Sequence, residues 1–156
     1  MDVSLPAEPQ TIAPNAASRS RLPLWNPRAA TWWGVLLSPA FSAYIHMHNW
    51  SALGQEDKAA EARTWFRLML GCIVFACLLG SIGDMIGRDL TLPASTGLAL
   101  LLIWHIGCGR GQERYVAALT AGAYARRPWA RTVLAAFGIF AALVVANAAL
   151  LVFMGA

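Results

Sequence analysis

The sequence predicts an all-α integral membrane bundle, and three observations predict it. Four apolar runs, at about residues 29–47, 65–87, 92–108 and 132–154, each approach the length a helix needs to cross a bilayer. Charged residues make up only 13% of the chain, roughly half of what a soluble domain carries. Tryptophans mark the ends of the runs: Trp25, Trp32 and Trp33 at the first, Trp50 and Trp65 around one polar stretch, Trp104 and Trp129 around another. Indole rings favour the headgroup level, so this placement reads as an aromatic belt.

Residues 1–28 hold five prolines (Pro6, Pro9, Pro14, Pro23 and Pro27) and no apolar run of signal-peptide length. They read as a flexible tail ahead of a single membrane domain at 29–156. The first run, 29–47, is interrupted by Pro39. Proline lacks the N–H that a helix interior needs and crowds the preceding turn, so a kink or break is expected near Ser38. The second run carries Ala76, Gly80, Gly83 and Gly87 at spacings of four, three and four. That spacing puts small residues on one face and predicts a helix-packing seam. The third run starts just after Arg88-Asp89-Leu90, with Pro93 suited to its first turn. The fourth has no charge over 23 residues, a further line of small residues including Gly138, and one strongly polar side chain, Asn147. An amide at that depth is expected to face protein and share an interhelical hydrogen bond.

Two polar stretches, 48–64 and 109–131, separate these runs and are expected to form amphipathic, interfacial helices. They echo each other. His48 precedes Gly54-Gln55-Glu56 by six residues, and His105 precedes Gly111-Gln112-Glu113 by six. Trp65-Phe66-Arg67 and Trp129-Ala130-Arg131 close the two stretches. A twofold internal repeat of helix, polar stretch and helix is the corresponding expectation.

The net charge of +4 rests on eleven arginines and one lysine. They sit in short connections between apolar runs, which is the positive-inside pattern and speaks against nucleic-acid binding. With four spans, both polar stretches share the cytoplasmic side, and Arg19, Arg21, Arg28 and Arg88 face the other. If the first run instead enters and returns, or lies in the interface, Arg88 alone is on the far side, leaving three spans. The internal echo favours four.

Leu24-Trp25-Asn26-Pro27, Ser38-Pro39-Ala40-Phe41, Asn49-Trp50 and Leu53-Gly54 form one set of distinctive words. Gly109-Arg110, Gln112, Tyr115-Val116, Tyr124 and Arg126-Arg127-Pro128-Trp129 form another. Together they resemble an uncharacterised group of small bacterial multi-pass inner-membrane proteins, across most of residues 24–140. The resemblance implies a bacterial inner-membrane location; it brings no activity and no catalytic residue.

Few residues suggest chemistry. His48 and His105 occupy matching places in the echo, so two imidazoles could ligate a haem iron or another metal. Histidines at helix ends bonded to water or headgroups are the simpler reading, and no cofactor is expected. Asp84 and Arg88 are spaced to pair along one helix and mark its end. Cys72, Cys77 and Cys108 have no metal or redox spacing. Arg110, Arg114, Arg126, Arg127 and Arg131, with Trp129, are candidates for contact with anionic headgroups or a protein partner. Phosphate-loop, nucleophile-elbow and zinc-helix motifs are absent. The expected function is therefore non-enzymatic: an interaction, accessory or immunity-type protein that meets another membrane protein or itself. A small oligomeric transporter or channel is the alternative, and a haem or metal redox protein a third.

Overall fold

A computed structural model describes residues 22–121 and 123–153, and every regular element among them is helical. In chain order these are α1 (Pro27–Leu36), α2 (Pro39–Ala52), α3 (Glu56–Met85), α4 (Ala94–Trp104), a π turn (His105–Gly109), α5 (Arg110–Thr120) and α6 (Ala130–Phe153). The Pro-rich tail falls outside the described residues as far as position 21. From Leu24 onward the chain is tied into the fold, and Pro27 and Arg28 already belong to α1.

The first apolar run is not one helix. Asn26 caps α1, its side chain accepting from the Arg28 and Ala29 amides, with Pro27 in the first turn. Ser38 caps α2 in the same way, accepting from the Phe41 amide, with Pro39 next. Proline suits that position because its missing N–H would find no helical partner there. The chain reverses between the two helices. Pro27 faces His46, Ala30 packs with Ile45, and the Cβ that Gly34 lacks would lie 2.7 Å from Ser42 Cβ. The expected span at 29–47 is thus replaced by an antiparallel hairpin of two short helices. The helix α2 is its inner member and buries eight of its fourteen residues.

Two long helices clasp this hairpin. Helix α3 has 30 residues, about 45 Å of helix. The chain from Ala94 to Thr120 stays right-handed helical through the π turn, about 40 Å. One core cluster joins Ala40 and Ala43 of α2 to Met69 of α3 and to Leu101 and Trp104 of α4. A second joins Ala30, Phe41 and Ile45 to Trp33, Trp129 and Val133. A third, at the polar end, sets Trp50 against Ala59, Ala62 and Tyr115.

Helices α3 and α6 are the two among the described residues that are long and apolar enough to cross a membrane. Helix α6 buries none of its residues. The polar stretches 48–64 and 109–131 are not separate interfacial helices. Residues 48–52 end α2, 56–64 begin α3, and 110–120 continue the helix that starts at Ala94. The echo does not extend to conformation either. Gly54 lies in a turn at φ +70°, whereas Gly111-Gln112-Glu113 lie inside α5.

Two glycines of the small-residue run of α3 lie at its end. Gly87, at φ +64°, terminates α3. The Arg88 amide donates back to the Gly83 carbonyl and the Gly87 amide to that of Asp84, the Schellman pattern. A Cβ on Gly83 would lie 2.5 Å from the Arg88 carbonyl oxygen. Both glycines thus serve the turn. Gly80 faces Thr91, and Ala76 is half-buried.

Candidate functional site

The polar residues of the interior gather where the open end of the hairpin meets α5. Asn49 is central and almost wholly buried. Its Oδ1 accepts from the Trp25 amide (3.0 Å) and its Nδ2 donates to the Trp25 carbonyl (2.8 Å). The side chain thereby satisfies a backbone segment as a neighbouring strand would. Nδ2 also donates to Gln112 Oε1 (3.3 Å), and Gln112 Nε2 donates to the His46 carbonyl (2.8 Å). One buried pair of amides therefore pins the N-terminal segment, the hairpin and α5 together. Buried amides left without partners cost about 1–3 kcal/mol each, so this closed set is a strong local constraint.

Trp25 extends the constraint outward. Leu24 bridges residues 125–127, donating to the Ala125 carbonyl (2.9 Å) and accepting from the Arg127 amide (2.9 Å). The Trp25 indole donates to the Pro128 carbonyl (3.3 Å), and the Arg127 guanidinium lies 4.6 Å over its ring. Trp129 packs against both Trp25 and Trp33. Leu24 to Pro27, Asn49, Gln112 and Arg126 to Trp129 thus build one scaffold.

A second group lies beside it. Thr31 Oγ1 donates to Glu113 Oε1 (3.4 Å) and is 3.3 Å from His105 Nδ1. His105 is also 4.0 Å from Glu113. His46 stands edge-on to Trp104 with ring centroids 4.7 Å apart. Ser42 Oγ, His46 Nε2 and Trp104 Nε1 are buried and make no hydrogen bond. Gly109 closes the π turn, and a Cβ there would lie 2.9 Å from His105 Nδ1 and 3.3 Å from the Trp104 ring. Such turns often mark functional positions.

His48 and His105, which only weakly suggested a metal pair, have different surroundings. His48 packs edge-on against Tyr44 and beside Trp25, while His105 faces Thr31 and Glu113. Among the described residues no set of three or more histidine, cysteine or acidic groups is placed to hold a metal. Burial, then the charges of Arg127 and Arg63, hold the His48 imidazole below its ordinary range.

Of the expected contact residues, Arg110, Arg114, Arg126 and Arg131 are exposed, whereas Arg127 and Trp129 are half-buried. Gly138 faces open space. Asn147 Oδ1 accepts from Ser81 Oγ (2.7 Å), linking α6 to α3. Sequence reasoning missed the Asn49–Gln112 pair, which lies 63 residues apart. It also missed the Gly34–Ser42 contact, although Ala30 and Gly34 already had the four-residue spacing of a close helix crossing. No family model, curated protein or solved structure matches the chain.

Proposed function

We propose that the chain is a small polytopic bacterial inner-membrane protein with three spans and a re-entrant hairpin. On this reading it acts as a non-enzymatic interaction or accessory protein. The spans are α3, the helix from Ala94 to Thr120, and α6. The geometry of the hairpin supports this topology. Ten residues of α1 reach only about 15 Å, half the ~30 Å hydrocarbon core, before the chain turns back. Bent backbone at that depth must be covered by protein. Leu101 packs against Gly34 on one side, and Val133 and Ala136 lie with Leu37 on the other.

The charges agree with that placement. Arg28, Lys58, Arg63, Arg110, Arg114, Arg126, Arg127 and Arg131 fall towards the end where the hairpin opens, Arg67 lies a turn further along α3 beside Phe66, and Arg88 is at the other end. The positive-inside rule makes the rich end cytoplasmic.

The interaction reading is carried by α6, which buries none of its 24 residues. It is held by Trp129 and Val133 at its start and by the Ser81–Asn147 bond deep along it. Its remaining faces are available to a helix of a partner or a second copy. Photo-crosslinkers at Ile139, Phe140, Leu143 and Val144, introduced one at a time in native membranes, test this. Adducts of one discrete mass from one face support the reading; crosslinks to lipid alone from every face contradict it.

A transporter or channel is the second reading. The buried, unbonded Ser42 Oγ, His46 Nε2 and Trp104 Nε1 beside a hairpin tip favour it. Ion flux in reconstituted vesicles that is abolished by His46→Phe would turn the choice towards it.

A further inference from the structure

At the polar end, α2 and α3 run antiparallel, with Tyr44 against Phe66 (ring centroids 5.7 Å). His48 lies one turn beyond Tyr44 and Arg63 one turn before Phe66. Residues three or four apart share a helix face, so His48 and Arg63 are brought to the same level of the α2–α3 seam. A third group arrives from the connection between α5 and α6. Arg127 is held over Trp25, whose ring is 6.3 Å from that of His48. Among the described residues the ion pairs are Lys58–Glu61 and His105–Glu113, and neither involves Arg63 or Arg127. Two guanidiniums and an imidazole from three elements are thus brought into one neighbourhood, and neither guanidinium is in an ion pair among the described residues.

We propose that Arg63, Arg127 and His48, beside Trp25, form a binding site for a phosphate-bearing anion. Guanidinium groups match phosphate oxygens in paired, charge-assisted bonds. Stacking on Trp25 holds Arg127 in one orientation before any ligand arrives. The imidazole contributes a further donor, and the anion offsets the positive field of the two guanidiniums. Trp25, Trp33 and Trp129 form a neighbouring aromatic shelf, of the kind that lies at headgroup level. An anionic lipid headgroup and free phosphate share the required chemistry. The site stands on the packing of α2, α3 and the 123–129 segment; only its lipid form rests on the membrane topology proposed above.

His48 is the reporter. The charged groups facing it are Arg127 from the connection and Arg63 from α3, and both disfavour its protonated form. A bound anion reverses that field, so occupancy raises the pH at which His48 titrates. The experiment follows the His48 ring resonances by NMR across pH in the full-length protein, assigned with His48→Gln. One arm adds inorganic phosphate to protein in neutral detergent. The other compares nanodiscs of phosphatidylcholine with nanodiscs containing phosphatidylglycerol.

The site predicts an upward shift of the titration midpoint that Arg63→Gln and Arg127→Gln each diminish. Arg131→Gln, which removes the same charge elsewhere, leaves the shift intact. A shift in the phosphatidylglycerol arm alone assigns the headgroup, and a shift with inorganic phosphate assigns the free anion. No shift in either arm, or one that Arg131→Gln diminishes equally, overturns the proposal. Unchanged melting temperatures of the arginine variants exclude loss of fold as the cause. A wrong topology would leave the inorganic-phosphate arm intact, so the two failures are distinguishable.

Discussion

Asn49 carries more of the tertiary structure than its size suggests. Its one amide holds both backbone groups of Trp25 and the side chain of Gln112. Asn49→Ala leaves all three without partners. The expected cost is about 2 kcal/mol, a fall in melting temperature of roughly 4–8 °C for a chain of this size. Asn49→Asp keeps the acceptor for the Trp25 amide but loses both donated bonds, so it is not expected to rescue. Thermal unfolding in a mild detergent measures both variants. Only part of this was legible in the sequence. The break near Ser38 could be read because Pro39 is adjacent in the chain, whereas Asn26 and Pro27 read as tail although they cap and open α1. The partners of Asn49 are 24 and 63 residues away, and no local pattern marks which distant amide will meet it.

Elements here are shaped by glycines with different duties, and the differences are testable. Gly34 lets α1 approach α2, where an added Cβ would be 2.7 Å from Ser42 Cβ and 3.0 Å from Leu101 Cδ1. Since Ser42 Cβ is fixed to its backbone, Gly34→Ala must part the two helices, at about 1–3 kcal/mol. Gly87 supplies the left-handed turn that ends α3, so Gly87→Ala costs about 1 kcal/mol through strain alone. Gly138 faces open space, so Gly138→Ala is expected to leave the melting temperature of the isolated protein unchanged or raise it. The same unfolding assay ranks the three, and a Gly138 loss equal to that of Gly34 would contradict this ordering. Sequence spacing alone could not separate these roles. Gly83 and Gly87 have helix-seam spacing, yet that run ends just there, and the end of an apolar run is a weaker signal than a cap. In the first run the break near Ser38 was legible from Pro39. The reversal was not, because it depends on Ala30 and Gly34 packing against α2.

At the scale of the molecule, two long helices and α6 surround a hairpin that reaches about half their length. Below its tip, residues such as Phe75, Leu78, Leu98, Leu143 and Val144 are exposed. In water that surface would be prohibitive, whereas in a bilayer it faces acyl chains or another helix. The helical class and apolar character were legible from composition and run length. The doubling back of the first run was not, because it depends on contacts between α1 and α2, and the charge pattern allowed both arrangements.

The side on which residue 23 lies relative to residue 55 decides the matter most directly. Single cysteines replace Pro23, Gln55, Ala125 and Ala94 in a background without the native cysteines, and a membrane-impermeant thiol reagent probes intact cells and inverted vesicles. The hairpin predicts that positions 23, 55 and 125 react only in inverted vesicles and position 94 only in intact cells. Reaction of position 23 from the same side as position 94 would mean that the first run crosses the membrane, and would contradict the re-entrant hairpin.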